Sequence, residues 1–249
     1  MKNMMNPEEK WDKKALTYPR YTSSEDTYEA RIIRTLEGAG VSFKGKRVLD
    51  VGCGSGKFTL RIAKEAASVL GTDISSQMLR ILHEDAGKEG ADNLRSLKCT
   101  FDDFDPKGEK FDIVFASVTP AVRTEEHFRR VTELAEEHVV YIGWAGRKES
   151  EMLYALYDKC GISPKIFNDV PVLKEWLAKK DIRYRIIPVE ETWVRTYDRT
   201  KAEALCMEAI EDNASGACVK TVAPLLNTMA GADGRITDRM HVKMEMIIW

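Results

Sequence analysis

The sequence predicts an α/β fold with a mostly parallel sheet, and three observations carry that expectation. Val48-Leu49-Asp50-Val51-Gly52-Cys53-Gly54-Ser55-Gly56 is an apolar strand that runs through an acid into a turn of alternating glycines and then an amphipathic segment. Ala67-Ser68-Val69-Leu70-Gly71-Thr72-Asp73 reads as a second strand, with Asp73 at its end, 73 − 50 = 23 positions after Asp50. Strand and helix patterns then alternate to about Trp144, as a parallel sheet covered by helices requires.

Taken in order, residues 6 to 18 read as a helix: Asn6 can cap it, Pro7 suits its first turn, Glu9 completes a capping-box-like pattern and Pro19 stops it. Trp11, Ala15 and Leu16 share one face of it. A second helix from about residue 24 to 37 places Tyr28, Ile32 and Leu36 at i, i+4, i+8 and ends at Gly38 and Gly40. Both precede the sheet, and would pack at its edge or close over a ligand. Strands are expected at 47–51, 68–72, 94–101, 111–116 and 139–142, with helices near 57–66, 76–87 and 124–137. After 149–159 and Gly161 the pattern loosens. Pro164 and Pro171 frame a connection, and Pro171 opens a short helix to Lys180. Residues 184–197 read as a long strand or hairpin arm, 201–212 as a helix, the segment to Gly234 as room for another, and 240–249 as the closing strand. One domain is expected over 1–249: a helical lid at 1–40, a ligand-binding core at 45–146, and a C-terminal half at 147–249. Residues 147–235 exceed what a minimal sheet needs, so substrate selection is expected there and in residues 1–40.

Composition narrows the classes. A net charge of −2 over 249 residues gives no field that favours nucleic acid or an anionic membrane. No run of about 18 apolar residues exists to span a bilayer, and Met1–Asn6 lacks the apolar core of a signal peptide, so a cytoplasmic location is expected. The basic pairs Lys13-Lys14, Arg129-Arg130 and Lys179-Lys180 are short and read as solvated helix faces. Cys53, Cys99, Cys160, Cys206 and Cys218 are odd in number and form no C-x-x-C pair, which argues against a disulfide framework or a zinc ribbon. His83, His127, His138 and His241 lack metal-ligand spacing.

The chemistry sits in the glycine turn. Glycine lets backbone approach a ligand closely, and the helix that follows offers free N–H groups to an anion, so a nucleoside-like cofactor with a negative group is expected. The rival is a dinucleotide site, whose fingerprint is G-x-G-x-x-G. Here the spacing is G-x-G-x-G with Lys57 next, and Asp50, two residues before the first glycine, would face a positive group better than a pyrophosphate. Asp73 can accept from both hydroxyls of a ribose; alternatively it caps the helix that opens at Ser75-Ser76-Gln77-Met78-Leu79.

VLDVGCGSGKFTLRIA and VLGTDISSQML resemble the first and second motifs of the class I S-adenosylmethionine-dependent methyltransferases. The resemblance covers roughly residues 45 to 146 and is strongest to the broad small-molecule group that includes ubiquinone/menaquinone-type C-methyltransferases. It implies a Rossmann-like seven-stranded sheet whose last strand is antiparallel, S-adenosyl-L-methionine as cofactor, and in-line transfer of its methyl group to a small-molecule acceptor. By the same resemblance Gly52, Gly54 and Gly56 line the methionyl part, with Cys53 as a small neutral member of the turn rather than a nucleophile. Asp50 lies near the ammonium group, Asp73 on the ribose, and Ile74 and Met78 near the adenine. Asp102 or Asp103 meets the adenine amino group, Asp102 being favoured, although Cys99-Thr100-Phe101-Asp102-Asp103-Phe104 departs from the commoner Gly-Asp-Ala form.

At the end of the fourth strand, Ser117-Val118-Thr119-Pro120-Ala121 lacks the Asn-Pro-Pro-Tyr motif of methyltransferases acting on the amino groups of adenine or glutamine. Ser117 is counted with the cofactor site and Thr119 with the acceptor site, or the two form a plain strand-end turn. Trp144 could hold a flat or cationic acceptor. Tyr18, with Trp11, Arg20 and Tyr21, could form a lid, core packing being the alternative for each. No general base and no metal ligand is assigned. An RNA or protein methyltransferase, or a cofactor-binding protein without transfer, remain the alternatives to a small-molecule enzyme; membrane partners are not expected and nucleic acid is disfavoured.

Overall fold

The computed structural model describes residues 6–163, 169–213 and 218–249. Its strands are β1 Arg47–Val51, β2 Ser68–Asp73, β3 Leu94–Lys98, β4 Phe111–Ser117, β5 Ala135–Ser150, β6 Arg185–Tyr197 and β7 Ile236–Ile248. Its helices are α1 Pro7–Ala15, α2 Tyr28–Gly38, α3 Thr59–Ala63, α4 Ser76–Glu89, α5 Glu125–Leu134, α6 Glu151–Cys160, α7 Asp169–Lys179, α8 Arg199–Asp212 and α9 Val219–Met229. The strands form one seven-stranded sheet in the order β3-β2-β1-β4-β5-β7-β6. By its contacts the chain divides into two units: residues up to 143 with 173–186 and 246–249, and residues 144–172 with 187–245.

In the first unit β1 pairs in parallel with β2 and β4, β2 with β3, and β4 with β5. Val48, Leu49 and Val51 are fully buried, as a strand covered on both faces must be. The last strand has the opposite sense. Val139 and Trp249 exchange both backbone bonds, at 2.8 and 3.2 Å, which is the antiparallel pattern. Ser75 caps α4 by accepting from the Met78 N–H at 3.1 Å, and Gly90 closes it in the left-handed conformation at φ 65°. α1 lies against α4: Trp11 and Ala15 pack on Met78 and Ile81.

In the second unit α6, α8 and α9 share a core of Leu156, Ala202, Cys206, Ile210, Leu225 and Leu226. Thr192 Oγ1 meets His241 Nδ1 at 3.0 Å and Thr196 Oγ1 meets Thr237 Oγ1 at 3.5 Å; 192 + 241 and 196 + 237 both give 433, so β6 and β7 are antiparallel there. The buried Asp238 carboxylate fixes the start of α6, accepting from Ser150 Oγ at 2.8 Å and from the Met152 N–H at 3.0 Å.

Element bounds differ from the sequence expectation where tertiary pairing decides them. β3 stops at Lys98 because β2, its partner, stops at Asp73; residues 101–103 form a turn. α5 ends at Leu134 because Ala135 already pairs with Phe111, and β5 and β7 run longer than their apolar cores suggest. Pro171 lies inside α7, two residues after its start, and Pro164 falls outside the described residues. The cysteine reading needs correction. Cys160 at the end of α6 and Cys218 just before α9 are joined, with Cα atoms 5.8 Å apart. An odd count cannot reveal one pair separated by 58 positions. Among the described residues no helix is long and apolar enough to cross a membrane.

Candidate active site at the carboxyl ends of β1, β2 and β4

The turn after β1 is hung on β2 by backbone. The N–H groups of Gly52 and Cys53 both donate to the Thr72 carbonyl, at 2.8 and 2.9 Å. The Gly54 N–H donates to Asp73 Oδ2 at 2.9 Å, and the Ser75 N–H donates to Asp73 Oδ1 at 2.8 Å. Asp73 thus joins the glycine turn to the start of α4, and each of its oxygens keeps a further lone pair for a ligand. The helix-capping and ligand-binding readings of this residue are compatible: one lone pair per oxygen serves the fold. Burial pushes its carboxyl above the usual range despite these donors.

The glycines of the turn do different work. A Cβ on Gly52 would lie 1.9 Å from Thr119 Oγ1, and one on Gly56 would lie 2.1 Å from Leu82 Cδ1, so both are packed against protein. Gly54, at φ +54°, has nothing within 4 Å of where its Cβ would stand. Here the backbone is bent toward open space, as a turn that receives a ligand needs to be. Cys53 turns the other way, its Sγ 2.9 Å from the Cβ position of Gly71 in β2. Burial holds the thiol well above its usual pKa, so it is a neutral packing group.

Asp50 is 3 % exposed and accepts from Thr59 Oγ1 at 2.6 Å. Burial, with the Asp73 charge adding to it, pushes its pKa up to about 7. The sequence reading gave no role to Thr59, which sits nine positions on, inside the first motif and at the start of α3.

β4 delivers Ser117 to the same end of the sheet, paired with Ile142. Val118 follows at φ +49°, a conformation that costs a β-branched residue energy and that is pinned by its N–H on the Ile142 carbonyl at 2.7 Å. Thr119 is thereby folded back, buried, onto Gly52, and its Oγ1 accepts from the Ala121 N–H at 3.2 Å. It is one member of the β1 and β4 ends meeting, which goes beyond a plain strand-end turn.

The N-terminal segment is fastened over this region by polar bonds. Asp12 of α1 accepts from Ser75 Oγ at 2.6 Å and from the Gln77 N–H at 3.1 Å. These bonds, Ser75 first, hold its carboxyl below the usual range. Ser55 Oγ, inside the glycine turn, donates to the Pro19 carbonyl at 3.0 Å. Arg20 pairs with Asp85 at 2.6 Å. Buried Arg61 holds the Ser24 carbonyl at 2.7 Å and the Thr22 carbonyl at 3.1 Å. Nothing in the sequence announces these long-range ties.

The remaining expected residues are placed as follows. Ile74 is half-buried beside Asp73. Met78 is 1 % exposed, sealed under α1, which leaves it little surface to offer a base. Asp102 and Asp103 lie in the turn after β3, beside β2: the Cys99 N–H donates to the Asp73 carbonyl at 3.1 Å. Asp103 accepts from Thr100 Oγ1 at 2.6 Å, and Asp102 faces His127 Nε2 at 2.9 Å. Tyr18 is exposed, edge-on to Trp11. Trp144 belongs to the second unit, where its ring meets Trp193 edge-on.

Residues 48–139 match the family model described as a methyltransferase domain. Over 120 residues the chain is 32% identical to a 23S rRNA (uracil(1939)-C(5))-methyltransferase of Aeromonas salmonicida, covering 46% of this chain and 26% of that protein. The chain spans only 15% and 26% of the length of two curated relatives that it matches. Among solved structures, the YcgJ protein of Bacillus subtilis superposes with a TM-score of 0.54 at 16% identity, over 88% of this chain and 96% of that one. The magnesium protoporphyrin IX methyltransferase of Synechocystis PCC 6803 with bound S-adenosylhomocysteine does so at 0.50 and 18% identity, over 74% and 86%. Residues 48–139, which hold the complete glycine turn, Asp50 and Asp73, thus form a methyltransferase domain, and the chain shares its fold with the YcgJ protein.

Proposed function

We propose that this protein transfers the methyl group of S-adenosylmethionine to a small-molecule acceptor. The observation that carries the reading is Gly54: its N–H is spent on Asp73, while its Cβ position faces open space between two glycines packed on protein. A cofactor laid there has the Asp73 carboxylate for its ribose hydroxyls. It has Asp50, a buried acid paired with no cation among the described residues, toward the ammonium of its methionyl part. Gly52, Cys53 and Gly56 then serve as backbone floor, Ile74 as a wall, and Asp102 or Asp103 as partner of the adenine amino group. When bound, the cofactor supplies an already activated methyl on sulfonium. What the protein adds is near-attack alignment of the acceptor, which is worth several kcal/mol. Ser117 and Thr119, at the bent end of β4, stand where an acceptor would be positioned; no base is assigned.

The rRNA-modifying relative favours a second reading, transfer to RNA. The charge of −2, with no basic tract, speaks against it. Calorimetric titration with S-adenosylmethionine, S-adenosylhomocysteine and NAD tests the cofactor. Micromolar binding of the first two and none of NAD is expected, and binding of NAD alone would sink the assignment. Transfer of labelled methyl to a panel of small acceptors, and not to total rRNA, is the expected second result; label in the RNA alone would replace the small-molecule reading.

A further inference from the structure

The pair Arg129-Arg130 reads in the sequence as one solvated patch, and the structure splits it. Arg129 lies along the outside of α5, paired with Glu126 and Glu133. Arg130 points under the turn that follows β3. Its guanidinium donates to the carbonyls of Phe101 at 2.6 Å, Phe104 at 2.7 Å and Asp102 at 3.3 Å, and lies 4.7 Å over the Phe101 ring. One turn earlier on the same helix, the His127 ring meets Phe101 edge-on at 5.7 Å. His127 Nδ1 accepts from the Arg123 N–H at 3.2 Å, so Nε2 carries the proton and donates to Asp102 Oδ1 at 2.9 Å. A turn of this kind satisfies few of its own carbonyls, and a planar guanidinium can gather several at once where an ammonium cannot.

We propose that His127 and Arg130 are positioning residues that set which purine the cofactor site accepts. This rests on the cofactor reading above. The turn they hold starts beside Asp73, through the Cys99 N–H on the Asp73 carbonyl, and so lies at the base end of any nucleoside whose ribose Asp73 holds. Arg130 fixes the backbone of residues 101–104. His127 takes one oxygen of Asp102 and aims the carboxylate, which is 74% exposed, with its other oxygen to accept from an exocyclic amine. Adenine presents that amine. Hypoxanthine presents a carbonyl oxygen at the same position, and two acceptors face to face repel. Base choice therefore depends on how firmly the turn is held, by residues that touch no part of the ligand.

The test compares binding of S-adenosylhomocysteine and its deaminated form, S-inosylhomocysteine, to the full chain and to H127A, H127Q, R130M and R129M. The expected result is that wild type and R129M bind the adenine form at least tenfold more tightly. H127A and R130M should bring that ratio below about threefold with cooperative unfolding retained, and H127Q, whose amide can still donate to Asp102, should restore most of it. If R130M does not fold, H127A against H127Q carries the comparison, since that pair changes one donor. A wild-type ratio kept in H127A overturns the proposal, as does wild type binding both ligands equally; in either case binding itself leaves the cofactor reading standing. Wild type binding neither ligand overturns both.

Discussion

The parallel strands carry acids at both ends, and the two ends treat them in opposite ways. Where β4 starts, Asp112 is clasped by Arg47: it accepts from the Arg47 N–H at 2.7 Å and from the guanidinium at 2.8 Å, and Arg47 reaches Glu136 as well at 2.5 Å. That clasp holds the Asp112 carboxyl below its usual range. Where β1 and β2 end, Asp50 and Asp73 are met by a hydroxyl and by backbone N–H groups, and burial drives both upward. One end of the sheet compensates its charges inside the fold. The other keeps two carboxylates short of positive charge, an arrangement that costs stability and suits a ligand with an ammonium group and hydroxyls.

The sharpest way to break this contrast is Gly54→Val. No protein atom stands within 4 Å of the new Cβ, so nothing in the core is displaced, and the strain of a β-branched residue at φ +54° is confined to the turn. Cofactor affinity is expected to fall by more than a hundredfold with unfolding still cooperative. Gly52→Ala is its counterpart: the Cβ would lie 1.9 Å from Thr119 Oγ1, and thermal stability rather than affinity alone should suffer. If Gly54→Val binds S-adenosylhomocysteine as the wild type does, the open side of the turn is not the ligand side.

Asp73→Ala comes next. It removes the acceptor of two backbone N–H groups as well as the proposed ribose partner, and should cost about 1–3 kcal/mol of binding, roughly a 5-fold to 150-fold rise in Kd. Asp73→Asn separates the two roles. Its single carbonyl can still serve one N–H, so an Asn variant that folds like the wild type yet binds as weakly as the Ala variant assigns the loss to the ligand.

Much of this end of the molecule was legible in the sequence, and the reason is local. Asp50, the three glycines and Asp73 act through main-chain geometry within or next to their own turns, so spacing alone locates them. The alternation of strand and helix, and the antiparallel last strand implied by the resemblance, follow the same logic. What the sequence hid depends on contacts across long separations. Asp12 on Ser75, Ser55 on the Pro19 carbonyl and Arg130 on three carbonyls have partners 63, 36 and 26–29 positions away, and any acid, serine or arginine could have been chosen. The end of β3 was misjudged for a related reason: Phe101 and Phe104 are buried and apolar, but they stack on each other in a turn instead of pairing with β2. The length of β5 was hidden as well: its apolar core ends near residue 142, yet the strand runs on to Ser150.

Two acid-to-amide changes sharpen the contrast through pH. Asp50 has a folded pKa of about 7, above the unfolded value of about 3.9, so its proton is bound more tightly in the folded chain. Its contribution is fully present below the unfolded value and is lost as pH rises toward and through 7. Asp50→Asn keeps the acceptor for Thr59 Oγ1 and removes the titration. Melting temperature should then fall less from pH 5 to 7.5 in the variant than in the wild type, and equal slopes would mean that Asp50 is not the group responsible.

Asp112→Asn should act at the other end of the scale and with the smallest effect. Because Arg47 lowers its folded pKa, Asp112 contributes above the unfolded value of about 3.9 and the contribution is lost as pH falls through the folded one. The Arg47 side chain is 47% exposed, so water and salt screen the pair, and exposed pairs are worth little. The variant should be slightly less stable than the wild type at pH 6 and should match it only once the pH has fallen below the lowered folded pKa of Asp112, with the difference at pH 6 shrinking as salt is raised from roughly 0.05 to 0.5 M. A large, salt-insensitive loss would show that the amino ends of the strands are held by a buried charge after all, and the contrast between the two ends would have to be redrawn as one of solvent access rather than of compensation.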